Sequence, residues 1–309
     1  MRPADVNALL ARLASDLGVA SVAGAGIRVP VGGDDEALIQ ATEDDALIIY
    51  SRLRRDKYED EEPTQAARRL LGRNMPSATR HTMNFGVEEN GSEIIAFSRI
   101  ERPDTLLQEE IVYWVSSFLG NIASEDARDE DDENLEVRGS FTPMFDVEFD
   151  AVWNELAEIF GMPISVDEVA KPCMVVPDSG VPVSVEYRPD AGDVILRSVL
   201  SILPTEATDD ERLFKNLLQA HLFGLDTAGA VFAVDEDAEE IIVWRAESIR
   251  QLRADRLAML IENVSAVARY FEPKPETNHQ ETATSSDLSW GAVSLHQTSR
   301  TFPDLQGGF

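Results

Sequence analysis

An internal duplication constrains this chain more than any other feature. The segment Phe85 to Ile95 lines up without gaps on Phe232 to Ile242, and the two share a Phe, a Val, two Glu and two Ile. The same shift pairs Val29 and Pro30 with Val176 and Pro177, Leu47 to Ile49 with Val194 to Leu196, and Leu70 and Leu71 with Leu217 and Leu218. Four matches in one register mark two copies of a single module, and a duplication dictates architecture before any local propensity does. Further out the register slips as unequal loops require: Leu17 and Gly18 pair with Phe160 and Gly161, and Leu107 and Ile111 pair with Leu257 and Ile261. The expected organisation is a first module over 1–124, an acidic linker over 125–140, a second module over 141–273 and a flexible tail over 274–309. Phe141 to Phe145 are expected to dock back on the second copy.

Each copy reads as the same series of elements. Val6, Leu9, Leu10, Leu13 and Leu17 recur at helical spacing and stop at Gly18, a residue suited to the left-handed position that ends a helix. Val152, Trp153, Leu156, Ile159 and Phe160 do the same before Gly161. Three β-type runs follow, Ile27 to Val31, Ala37 to Ala41 and Ala46 to Leu53, matched by Cys173 to Val176, Val181 to Tyr187 and Val194 to Ile202. A second helix is predicted over Pro63 to Met75 and over Asp209 to Leu222, with Pro63 suited to a first helical turn. A hairpin then turns at Glu89-Asn90-Gly91 in one copy and Asp235-Glu236-Asp237 in the other. Last comes a helix carrying Leu107, Ile111, Trp114, Val115, Phe118 and Ile122, or Leu257, Leu260, Ile261, Val264, Val267 and Phe271. The fold class is α+β: two tandem α-β-β-β-α-β-β-α modules with antiparallel sheets, packed as a pseudo-dimer.

Composition narrows the function. The 309 residues carry 57 acidic against 27 basic side chains, a formal charge of -30, which repels nucleic acid and anionic lipid surfaces. Nucleic acid and membrane are therefore not expected partners, and no apolar run is long enough for a membrane span. The start of the chain shows no signal-peptide pattern, so a cytoplasmic protein is the expectation. A single cysteine, Cys173, excludes an internal disulfide and is expected in the core. His81, His221, His279 and His296 have no metal-ligand spacing. His81 is expected exposed at a strand start, and His221 as a cation capping a helix C-terminus. Motifs for nucleotide binding or nucleophilic catalysis are missing, so no enzyme, no cofactor and no metal are expected. Trp114, Trp153 and Trp244 lie on periodic apolar faces and read as packing residues.

The element order, the opening helix with its Leu-Gly ending, and the Phe-x-Val-Asp-Glu-x-x-x-Glu-Ile-Ile turn before a long final helix resemble the Tir-type (CesT-like) chaperones of type III secretion. The likeness covers both copies and is stronger in the second, over Phe149 to Pro163, Leu213 to Leu225, Gly229 to Val243 and Leu257 to Phe271. Members of that family are small acidic homodimers that hold an extended N-terminal region of an effector and have no catalytic site. The resemblance therefore implies a non-enzymatic chaperone with a protein client, here with two modules fused, so that a monomeric pseudo-dimer is expected in place of a homodimer. Proteins of the YbjN type share the fold, and a regulatory or structural protein with no unfolded client is the alternative.

An extended client can add a strand to an exposed sheet edge and place apolar side chains in grooves beside the first helix. The candidate client-binding residues are Leu10, Leu13, Val29 and Ile39 in the first module and Val152, Leu156, Val176 and Val185 in the second. Leu288, Trp290 and Phe302 make the tail too apolar for a mere solvating segment and are its candidate anchors.

Overall fold

The computed structural model describes residues 3–19, 21–22, 26–32, 35–42, 46–53, 62–76, 83–88, 93–101, 103, 106–127, 149–161, 173–178, 180–189, 192–203, 210–250 and 252–272. All of them belong to one compact unit, Met1–Pro273. Phe141 to Phe145, His81 and the tail lie outside the described residues.

The first module opens with α1 (Pro3–Asp16), followed by β1 (Ser21–Val22), β2 (Gly26–Gly32), β3 (Asp35–Ala41) and β4 (Leu47–Leu53). It continues through α2 (Pro63–Arg73), β5 (Asn84–Val87), β6 (Ile94–Ile100) and α3 (Gln108–Ala127). The second module comprises α4 (Phe149–Phe160), β7 (Cys173–Val175), β8 (Val183–Arg188), β9 (Asp193–Ile202), α5 (Asp210–Ala220), β10 (Val231–Asp235), β11 (Glu240–Ser248) and α6 (Ala254–Phe271). Its order is the predicted one. The first module adds β1, which is too short to leave a periodic signature, and α3 runs on to Ala127.

Local chemistry explains these elements. Gly18 and Gly161 take φ of 67° and 62°, the left-handed conformation that lets the chain leave the first helix of each module. At α2, the Glu62 carboxylate accepts from the Gln65 N–H at 3.1 Å, and Pro63 occupies the first turn, where its missing donor costs nothing. Both sheets are antiparallel throughout. Strand order is β1-β2-β3-β4-β6-β5 in the first and β10-β11-β9-β8-β7 in the second. Apart from β1 the two sheets are one design used twice.

One face of each sheet carries the main core. Ile27, Val29, Ile39 and Ile49 of the first sheet, and Val175, Val185, Leu196 and Phe232 of the second, are buried with the first and last helices of their modules. Part of the opposite, outer face of each sheet is covered by the other module. Ile48, Ile95 and Phe97 pack with Leu222 and Phe223, from a 3-10 turn (Leu222–Gly224) after α5. Ile195, Val231, Ile242 and Trp244 pack with Met75, which follows α2. The helices α2 and α5 also pack against each other, with α2 on β10 and α5 on β5. The exchange is reciprocal, as a two-fold axis between identical copies would make it.

Gly86 of β5 is required by this exchange. A Cβ there would sit 2.8 Å from Leu222 Cδ1 and 2.9 Å from the Leu218 carbonyl oxygen. Only a residue without a side chain lets α5 approach so closely.

Candidate protein-binding surface

The axis between the modules is built from two residues at equivalent positions, Asn74 and His221, 147 residues apart. Asn74 accepts from the Phe85 N–H at 2.6 Å through Oδ1 and donates to the Phe85 carbonyl at 2.9 Å through Nδ2. His221 accepts from the Phe232 N–H at 3.0 Å through Nδ1, so its proton resides on Nε2, which donates to the Phe85 carbonyl at 2.7 Å. Each side chain thus holds the hairpin strand of its own module, and His221 also reaches across to the other. Trp244 Nε1 donates to the Asn74 carbonyl at 2.7 Å.

His221 is fully buried, and burial pushes its pKa down to about 4. It is a neutral linchpin of the interface. The sequence-based expectation of a charged helix cap is corrected, because a helix end inside a protein offers no solvent to a cation, while two backbone partners suit the neutral ring.

Ion pairs rim the same seam. Glu101 of the first module is shared by Arg99 at 2.8 Å and by Arg245 of the second at 3.1 Å, and Arg245 in turn meets Glu247. Arg250 reaches Glu110 at 2.6 Å, and Arg68 of α2 pairs with Glu236 through its Nε at 2.7 Å. The Glu236 carboxyl is held below its usual range by the hydrogen bond from Arg68.

Seven of the eight candidate client-binding residues lie in the core. Leu10, Leu13, Val29, Ile39, Val152, Leu156 and Val185 are all buried; Val176 alone is exposed, at 59%. The outlier has a geometric cause. Ladder partners place Ile27 opposite Ile39 and Ile39 opposite Ile49, and Cys173 opposite Val185 and Val185 opposite Leu196. The spatial counterpart of Val29 is therefore Val175, not Val176. A slip of one residue moves a side chain to the other face of the sheet, and two adjacent valines hide such a slip from any sequence alignment. Leu288, Trp290 and Phe302 lie outside the described residues.

What the sequence did not disclose is an apolar surface on the outer face of the second sheet. Met174 and Val176 are 55% and 59% exposed, and Val199 of β9 is 44% exposed. Ile202 at the end of β9 is more exposed still. The advance signal was that Met174, Val176 and Val199 do not fit the inward alternation of their strands; Ile202 does by count, and the ladder irregularity at Ile241/Ile242 turns it outward. Cys173 itself is half-buried, Trp153 and Trp244 are core, and Trp114 is part-buried with its Nε1 donating to Ser98 at 2.9 Å.

Comparison with known proteins follows this geometry. Residues 154–272 match the model of the Tir chaperone protein (CesT) family. The second module is similar to the Tir chaperones over that span. The matched span runs from α4 to the end of α6, so it includes the whole second sheet and its exposed outer face. Among solved structures, a chain of the ExoU-SpcU heterodimer from the type III secretion system of Pseudomonas aeruginosa is 18% identical, with 39% of this chain and 93% of that chain covered at a TM-score of 0.33. A chain of the HopA1-SchA chaperone-effector complex is 13% identical, with 40% and 92% covered at a TM-score of 0.33. No curated protein matches the chain. The Tir chaperone match lies in the second copy, and the equivalent strand order of the first copy extends the same architecture to residues 3–127.

Among the described residues no helix is long and apolar enough to cross a membrane.

Proposed function

We propose that this protein is a secretion-chaperone-like binding protein that holds an extended segment of a client protein in the cytoplasm, without catalysis. The family match over residues 154–272 carries the reading. The reciprocal closure of the two outer faces supports a further point: one chain supplies both halves of the assembly, so the working unit is a monomeric pseudo-dimer. The domain limits that go with it are 1–124 and 141–273, joined by an acidic linker over 125–140 and followed by the tail over 274–309.

Of the candidate residues, Val176 is the exposed one, and its exposure supports keeping it as a client contact. The other seven belong to the cores of the two modules, Leu10, Leu13, Val29 and Ile39 in the first and Val152, Leu156 and Val185 in the second. Because they are buried against their own helices, truncating them is expected to lower stability before it lowers binding.

The test is purification of the tagged full chain from its native host at low salt, followed by identification of stoichiometric partners and limited proteolysis of the complex. The reading predicts a single partner in which one short segment is protected. Absence of any stoichiometric partner, from cells in which the protein is made at its natural level, would contradict it.

A further inference from the structure

The apolar part of the seam is reciprocal, but its aromatic and charged parts are not. Leu222 and Met75 stand at equivalent positions, and each packs on the sheet of the other module. One residue further on the equivalence ends, with Phe223 in the second module and Pro76 in the first. Phe223 holds φ 60° and ψ 3°, a left-handed conformation that a bulky side chain keeps only where its surroundings fix it. Its ring centroid lies 5.0 Å from that of Tyr50 and, edge-on, 5.7 Å from that of Phe97, and its carbonyl accepts from Arg99 at 3.1 Å. The shift that aligns the repeats puts Arg197 where Tyr50 stands and Ala246 where Arg99 stands, and the sheet ladders agree. Arg197 is engaged by Asp235 at 2.9 Å and Glu240 at 3.2 Å. The second sheet thus lacks the Tyr50 ring and the Arg99 donor that hold Phe223.

The charges divide the same way. At this end of the seam the first module supplies the acids Glu101 and Glu110, and the second supplies the cations Arg245 and Arg250, at 3.1 Å and 2.6 Å. Arg245 and Glu110 are buried. The equivalent positions carry no matching charge: Ser248 stands at the place of Glu101, Ser98 at that of Arg245 and Pro103 at that of Arg250. Where α6 begins, over Ala254 to Ile261, the one acid is Asp255, and Arg253 engages it at 3.0 Å. Two second modules joined through this seam would set Arg245 and Arg250 against a face without Glu101 and Glu110. Two first modules would leave both of those acids without either arginine. A buried charge stripped of its partner costs far more than a matched pair contributes. The exposed pair of Arg68 with Glu236 does not discriminate, because Lys215 stands in the second module where Arg68 stands in the first.

We propose that the seam is a heterotypic recognition surface: the second module rejects a copy of itself and accepts a face that presents Tyr50 and Arg99 to Phe223, and Glu101 and Glu110 to Arg245 and Arg250. The inference rests on the pseudo-dimer reading above and adds to it which face pairs with which. Specificity is a difference between two affinities, and here the rejected pairings are penalised by stranded charges as well as by lost contacts. The apolar core of the seam supplies attraction that either module could share; the rim decides the partner. The two halves are thereby held in one order, and the assembly presents two unlike sides in place of two equal ones.

The test uses the full chain with a protease site placed in segment 128–148 and cut after folding. The nicked protein is unfolded in urea and refolded, so that every fragment chooses its partner afresh, and native mass spectrometry counts the pairs. Pairing of the first module with the second is expected to exceed either self-pair about tenfold or more. A random mixture of the three pairings would overturn the proposal. The uncut chain gives a reading that needs no refolding of fragments. Glu110→Arg sets two cations together and is expected to lower the urea midpoint, and adding Arg250→Glu is expected to restore most of the loss. A double variant no more stable than Glu110→Arg alone would likewise overturn the proposal. If the uncut chain has the mass of a dimer, the pseudo-dimer reading itself fails. If it is a monomer whose nicked halves pair at random, that reading stands and the heterotypic seam alone is wrong.

Discussion

Beyond the seam, the outer sheet face of the first module carries exposed ion pairs, and that of the second module carries exposed apolar side chains. Where the first carries Arg28, Arg52 and Tyr50, the last covered by Phe223 of the second module, the second carries Met174, Val199 and the paired Arg197. The cores behind these surfaces are built alike, from Ile39 and Ile49 in one and Val185 and Leu196 in the other. Duplication thus preserves what folding needs, the inward alternation and the reciprocal seam. It leaves the outward alternation free to diverge, since surface substitutions cost little stability.

The largest predicted effect breaks the seam that makes the two modules one body. Trp244→Ala removes a buried indole and its bond to the Asn74 carbonyl and is expected to cost about 3–5 kcal/mol. Denaturant unfolding of the full chain measures it. The counterpart Phe97→Ala, at the equivalent place in the first sheet, belongs to the same range if the exchange is reciprocal.

Next in size is the pH dependence set by His221. Its folded pKa of about 4 lies below the ordinary histidine value of 6.5, so the unfolded chain binds the extra proton between those values. Stability from this group is therefore fully present above pH 6.5 and declines as pH falls toward 4. The loss is roughly 3 kcal/mol, taking about 1.4 kcal/mol per pKa unit. Urea midpoints across this window in the unaltered chain and in His221→Gln test it, the variant being expected to lose that part of the slope. An identical slope in both proteins would remove His221 as the titrating group.

Smaller effects distinguish the half-buried parts of the seam from its rim. Arg250→Ala strands the buried Glu110 carboxylate and is expected to cost about 1–3 kcal/mol. Arg68→Ala removes a solvent-exposed partner of Glu236 and is expected to cost less than about 1 kcal/mol, fading with salt.

Much of this architecture was legible in the sequence because it is carried by periodicity. The apolar spacing of Leu10 and Leu13, the left-handed glycines Gly18 and Gly161, and the alternation through β4 and β9 all report local constraints that act within a few residues. Three things escaped. The two-residue β1 has no period to detect. The neutral role of His221 depends on Phe85, which is distant in sequence and supplied by the other module, so the helix-end position alone pointed the wrong way. The exposed face of the second sheet escaped because its register against the first copy slips by one residue between β9 and β7, and the repeat alignment paired Val176 with the wrong valine. Local chemistry writes itself into sequence; which side of a sheet is left uncovered depends on what packs there.

The central claim is that one chain closes its own two-module seam and so needs no second copy. Light scattering of the purified full chain across a range of concentrations measures this directly. The account predicts the monomer mass of 34.1 kDa at every concentration, before and after client binding once the client's own mass is subtracted. A mass of twice that value, persisting on dilution, would show that the seam is formed between chains and would contradict it.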